Sequence, residues 1–155
     1  PWPERYHHPM HYELFMGAAL AEARAAVEKG ERPRGAAAVL DEALVASGHE
    51  EVAARNDPTA HAIVVTLREA AGRLGRTSLA GVTVFALMEP CAMCVGALLE
   101  SDVDCLVFAV PNPAAGAAGS VIQLADHPAL SRRMDLVSGI LRADAVDLLA
   151  VATNA

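Results

Sequence analysis

Lysine is almost missing from this sequence. Of 12 basic residues only Lys29 is a lysine, set against 19 acidic residues for a formal charge of −7. Binding a nucleic-acid backbone usually calls for a basic face or tail. The nearest candidate, Arg132-Arg133, is a pair and not a patch, and reads as well as two solvated arginines. Aromatic residues are scarce too, 4% against 54% hydrophobic overall, so the core must be built from Ala, Val and Leu. No uninterrupted apolar run approaches the ~20 residues of a membrane span. The opening Pro1-Trp2-Pro3-Glu4-Arg5 lacks the apolar centre of a signal peptide. A soluble protein is expected. Three cysteines cannot form a complete set of disulfides, and two of them stand at metal spacing, so a reducing cytoplasm is the expected home.

With 155 residues the chain is long enough for one domain burying about two-thirds of the surface it exposes unfolded. Residues 1–9, rich in proline, read as an extended lead-in, and 10–155 as a single domain. The histidines His7, His8 and His11 could bind a metal, but an unstructured terminus explains them as well. From His11 to Lys29 the apolar residues Leu14, Ala18, Ala21, Ala25 and Val27 recur at helical spacing, and Gly30 ends the run. Ala36–Leu40, a turn at Asp41-Glu42 and Leu44–Ser47 suggest a β-hairpin. Asp57-Pro58 offers an N-cap and first-turn pair for a helix to about Leu74, apolar almost all round and therefore expected to be buried. Val82–Met88 reads as a strand running into a helix that begins near Cys91, with another strand at Cys105–Val110. That order makes a parallel crossover unit. A loop over Pro111–Ser120, a strand near Leu136-Val137 and a helix from Arg142 complete an α/β domain of three layers.

The chemistry concentrates in two segments. Cys91 and Cys94, three apart on the first turn of a helix, project to one side. The helix N-terminus favours negative charge, so both thiols should be easily held as thiolates. His61 lies near the start of its own helix. One imidazole and two thiolates are three ligands for zinc, with no obvious fourth. Structural zinc sites are normally closed by four protein ligands, whereas catalytic ones leave one position to water. A redox pair and two incidental core cysteines are the competing readings of Cys91 and Cys94. Cys105, in the apolar run Cys105-Leu106-Val107-Phe108, reads as core.

These segments resemble the cytidine deaminase superfamily, most closely its tRNA adenosine deaminase and nucleoside deaminase branch. Asp57-Pro58-Thr59-Ala60-His61-Ala62 matches that branch's D-P-T-A-H-A, and Glu89-Pro90-Cys91-Ala92-Met93-Cys94 its E-P-C-x-M-C. Gly116-Ala117-Ala118-Gly119-Ser120 matches a G-A-A-G-S loop after the fourth strand. Pro33-Arg34-Gly35-Ala36 resembles P-[VI]-G-A, with Arg34 out of character. The resemblance spans about residues 14 to 150. It implies a five-stranded mixed sheet flanked by helices in an α/β/α sandwich, a zinc ion on His61, Cys91 and Cys94, and frequent assembly as a homodimer.

Two departures fall where such proteins do their work. The zinc deaminase signature is H-x-E…P-C-x-x-C, its Glu carrying protons without touching the metal. Here the segment reads His61-Ala62-Ile63. Counting back from His61, Glu50 stands where the branch has an Asn that hydrogen-bonds a bound nucleoside. Either Glu50-Glu51 is a solvated loop, or the acid has moved to Glu50 and carries the protons from there. Glu50 or His49 as a fourth ligand would close the site. His127 stands in a loop where the branch contacts substrate, and Glu89 is expected to order the turn bearing the cysteines. Three readings follow. The first is a divergent hydrolase acting through a zinc-bound water on an amino-heterocycle, a nucleoside or similar small molecule, with its proton shuttle displaced to Glu50. The second is a catalytically silent partner subunit of a homodimer or heteromer, as in the eukaryotic tRNA adenosine deaminase, and the third a ligand-binding sensor. Small molecules are the expected partners ahead of tRNA.

Overall fold

A computed structural model describes residues 11–154 of the chain, so the proposed lead-in and His7 and His8 lie outside the described residues. His11 sits exposed just before the first helix, α1 (Tyr12–Glu28). A hairpin follows, β1 (Gly35–Leu40) and β2 (Ala43–His49). Its two-residue turn, Asp41 at φ 51° and Glu42 at φ 62°, takes the left-handed backbone that fits the twist of paired strands. After a one-turn helix, α2 (Val52–Arg55), come α3 (Ala62–Leu74), β3 (Thr83–Met88), α4 (Ala92–Glu100) and β4 (Cys105–Val110). The chain closes with β5 (Asp135–Ser138) and α5 (Arg142–Asn154). None of these helices is long and apolar enough to cross a membrane.

The strands form one mixed sheet in the order β2-β1-β3-β4-β5. β1 runs antiparallel to both β2 and β3, while β3, β4 and β5 are parallel. The expected crossover is β3-α4-β4. Successive residues of a strand face opposite sides, and each side of this sheet has its own core. Ala37, Val39, Phe85, Leu87 and Val107 face α1 and α5. Ala36, Ala38, Val84, Ala86 and Leu106 face α3 and α4. The few aromatics are concentrated: Tyr12, Phe15 and Phe85 bring their rings to 5.7–6.1 Å under α1. The three-layer α/β expectation therefore describes the fold.

Two local expectations need correction. α3 begins at Ala62 and not at Pro58, because Asp57 Oδ1 accepts hydrogen bonds from the Thr59 N–H and hydroxyl and so forms a turn instead of a helix cap. Nor is α3 apolar all round: Ala62, Ile63, Thr66, Leu67 and Ala70 are buried, while Arg68, Gly72 and Arg73 face solvent. Cys105 is half-buried at the margin of the α1 core, and burial, helped by Asp135, pushes its thiol up to about 12.

Alanine-rich strands let helices approach closely, and Gly35 carries this furthest. A Cβ there would fall on the Ala19 carbonyl oxygen and 2.5 Å from the Ala23 nitrogen, both backbone atoms of α1. Gly35→Ala is expected to destabilise the chain by ~2–3 kcal/mol, at the upper end for overpacking. Gly72→Ala, on the exposed face of α3 with nothing within 4 Å, should instead stabilise it by up to ~1 kcal/mol. Urea unfolding of the two variants checks the opposite signs, and equal effects would refute the close approach.

Candidate metal centre

His61 is the residue just before α3, and Cys91 the residue just before α4. The Asp57–Thr59 turn and the bond from the His61 N–H to the Thr59 carbonyl set His61 in extended backbone, with no cap bond occupying its ring. Both helices pack on one face of the sheet, so their N-termini bring the side chains together. His61 Nδ1 lies 3.7 Å from Cys91 Sγ and 3.5 Å from Cys94 Sγ. All three donor atoms lie within 4.8 Å of one another. A tetrahedral zinc with ~2.0–2.1 Å to nitrogen and ~2.3 Å to sulfur would set nitrogen and sulfur about 3.6 Å apart. Donor chemistry and spacing therefore fit such an ion.

The two thiols are not alike. Cys91 is held down to about 5, first by the hydrogen bond from the Cys94 thiol and against burial, with the Cys94 backbone N–H assisting. Cys94 is pushed up by that same bond and by its burial. Cys91 is therefore the readier thiolate of the two, and Cys94 the thiol whose proton a metal would have to displace.

Glu89 organises the turn that bears the cysteines. It is 2% exposed, yet its carboxylate accepts hydrogen bonds from the N–H groups of Asn112, Ala118 and Ser120 and from the Ser120 hydroxyl. Those bonds outweigh burial and hold its carboxyl below the usual range. The 112–120 loop is wrapped on this anion so tightly that a Cβ at Gly116 would fall on the carboxylate.

A cavity of about 160 Å³ opens beside the donors. Besides His61, Cys91 and Cys94 it is walled by Ile63, Glu50, Arg32 and Arg34. Glu50 is buried, 2% exposed, and not in a solvated loop. Arg32 clamps it through two bonds, Nε to Oε2 at 2.7 Å and Nη2 to Oε1 at 2.6 Å. Neither Glu50 nor His49 joins the donor cluster. His49 pairs instead with Glu22, Nδ1 to Oε2 at 2.9 Å. His127 lies in an exposed loop, its Nδ1 accepting the Ala129 N–H, and does not line the cavity. Sequence reasoning passed over Arg32, whose partner is 18 positions away. Arg132 and Arg133 offer no free basic patch. Arg132 binds the Leu99 and Glu100 carbonyls and pairs with Asp102, and Arg133 pairs with Asp126. They border a larger groove remote from the donors.

With the Cys91 thiol held low and the Cys94 thiol raised, titrating zinc into metal-free protein at pH 8 should release about one proton from the cysteines, and about one more where the metal-bound water ionises near ~7. Calorimetry in buffers of different ionisation heat counts them, and three protons would refute the low Cys91 thiol. Affinity should fall with acid, more steeply once pH drops through about 5, where Cys91 also binds a proton.

Residues 9–110 match the family model for the cytidine and deoxycytidylate deaminase zinc-binding region. The chain is similar to the tRNA-specific adenosine deaminase of Bacillus subtilis (strain 168), 34% identical over 88% of this chain and 85% of that protein. A solved structure from work on A-to-I editing by tRNA:A34 deaminases at the wobble position superposes with a TM-score of 0.85. It is 33% identical, covering 88% of this chain and 99% of that one. The guanine deaminase of Nitrosomonas europaea superposes at 0.77 with 25% identity, over 95% and 87%. With its sheet order, its His61–Cys91–Cys94 cluster and these matches, the chain belongs to the cytidine deaminase superfamily, near the branch of tRNA adenosine and nucleoside deaminases.

Proposed function

We propose that this protein is a zinc-dependent deaminase of a small amino-heterocycle, with zinc on His61, Cys91 and Cys94 and with Glu50 as the proton carrier. The observation that carries the reading is Glu50, which of the two buried carboxylates in the cavity wall, Glu50 and Glu89, is the one not spent on the 112–120 loop. Its charge is felt at the Cys94 thiol. Hydrolytic deamination adds water across a C–N bond, so the attacking water must lose protons and the departing amine must gain them. Zinc, when bound, supplies Lewis-acid activation of the water. A positioned acid–base group contributes typically ~10²–10⁴-fold. Ile63, 4% exposed on the same wall, has no proton to give. Glu50 does the work when Arg32, whose side chain is 57% exposed, swings outward and frees a carboxylate oxygen.

A ring-sized cavity and a net charge of −7 favour a small molecule over tRNA. A homodimer in the cytoplasm completes the proposal. The Arg32–Glu50 clamp also favours a second reading. A carboxylate with both oxygens occupied is a structural strut, and the chain would then be a catalytically silent partner or ligand-binding subunit.

Screening amino-purines and amino-pyrimidines with zinc-loaded protein separates the two. For the deaminase reading, Glu50→Gln should lower turnover at least ~100-fold, and Ile63→Glu should impair it by crowding two carboxylates at one metal. Unchanged turnover in Glu50→Gln discards the displaced acid. Turnover of nothing by the wild type, with trace deamination appearing in Ile63→Glu, establishes the silent reading.

A further inference from the structure

The cavity wall carries a second cation that has no ion-pair partner among the described residues. Arg34 is half-buried beside Arg32 and Glu50. Arg32 uses its guanidinium on Glu50, but among the described residues Arg34 donates only to the carbonyl of its neighbour Pro33, at 3.4 Å from Nη1. No carboxylate lies within ion-pair distance of Arg34 among the described residues. Burial and the adjacent Arg32 charge both act against its cationic form, and the Glu50 charge only partly offsets them. A guanidinium has five N–H donors in a planar fork that matches carboxylate and phosphate, and the donors Arg34 does not use on Pro33 are not buried, so they stay open to a ligand.

The sequence departures point the same way. Arg34 stands where the resemblance calls for Val or Ile, and Ile63 where it calls for Glu. Against that pattern the cavity lining has a positive charge at position 34 and lacks a negative one at position 63. The Arg32–Glu50 pair is neutral as a unit. Glu89 spends its oxygens on the 112–120 loop. Zinc with two thiolates and an imidazole would add no net charge. The charges of Arg32, Arg34, Glu50 and Glu89 in the lining sum to zero, but Glu89 is turned onto its own loop, so among the described residues Arg34 is the lining charge with no ion-pair partner and only one weak hydrogen bond.

We infer that the ligand of this cavity is an anionic heterocycle whose carboxylate or phosphate is received by Arg34. The inference rests on the cavity being the ligand site, as proposed above, and names what that ligand carries. At about 160 Å³ the cavity holds one ring system. A ring carboxylate would meet Arg34 inside it, whereas a nucleotide phosphate would meet Arg34 at the mouth, next to the exposed Arg32.

Equilibrium binding to the zinc-loaded protein tests this with two matched pairs, 5-carboxycytosine against cytosine and cytidine 5′-monophosphate against cytidine. At least one anionic member should bind about 10-fold tighter or more than its neutral counterpart. The carboxylate pair and the nucleotide pair then distinguish the two sources of charge. Arg34→Met should erase the preference and Arg34→Lys should keep part of it, with zinc content unchanged in both as the control for folding. Raised salt should narrow the wild-type difference. Equal affinities within both pairs, a preference that survives Arg34→Met, or no binding of either anion at millimolar concentration would overturn the inference. Binding is read without turnover. An inactive protein that prefers anions therefore sinks the deaminase reading alone, and an active one without the preference sinks this inference alone.

Discussion

Two sulfurs and an imidazole nitrogen held within 4.8 Å of one another form the constraint on which the site depends. Thiol and imidazole do not need to converge to fill a core, and aliphatic side chains would pack there at lower polar cost. The surrounding elements enforce the convergence. β3 delivers Cys91 to the start of α4, and the turn at Asp57–Thr59 halts the chain before α3 so that His61 is free to face it. The buried Glu89 then fastens the intervening turn to the 112–120 loop through backbone donors. An anion placed so deep is tolerable because every donor aimed at it is fixed by that loop, which requires glycine at position 116.

Much of this was legible because the signals are local. Unbroken apolar runs marked β3 and β4, helical spacing marked α1, and the C-x-x-C with a preceding histidine marked the metal donors. What escaped depends on partners distant in sequence. Asp57 could equally cap a helix or fold onto Thr59, and only the second leaves His61 outside the helix. Glu50 beside Glu51 looks like a solvated pair until Arg32 is seen across the hairpin. The unequal thiols reflect a hydrogen bond between them, which charge at a helix end does not reveal. His127 was placed by loop position alone, and loops are where sequence spacing says least about direction.

The cavity has redistributed charge relative to the pattern it resembles, and the changes lie close together. An aliphatic residue occupies position 63, a carboxylate position 50 and an arginine position 34, and Arg32 lines the same cavity. Arg32 and Glu50 compensate each other, which explains how a carboxylate can be 2% exposed in an Ala- and Val-rich setting. That pair ties the segment before β1 to the residue after β2 and leaves Arg34 without an ion-pair partner among the described residues. The fold and the His61–Cys91–Cys94 donor set thus match the superfamily, while the lining beside them differs in chemistry from the pattern it resembles.

All of this presupposes a metal with three protein ligands and one direction left open toward the cavity. X-ray absorption at the zinc edge of the purified chain measures that directly. The account predicts one ion with two sulfurs at ~2.3 Å, one imidazole nitrogen at ~2.0–2.1 Å and one further light atom that is not a histidine. A third sulfur, a second imidazole or a well-folded chain without zinc would contradict it.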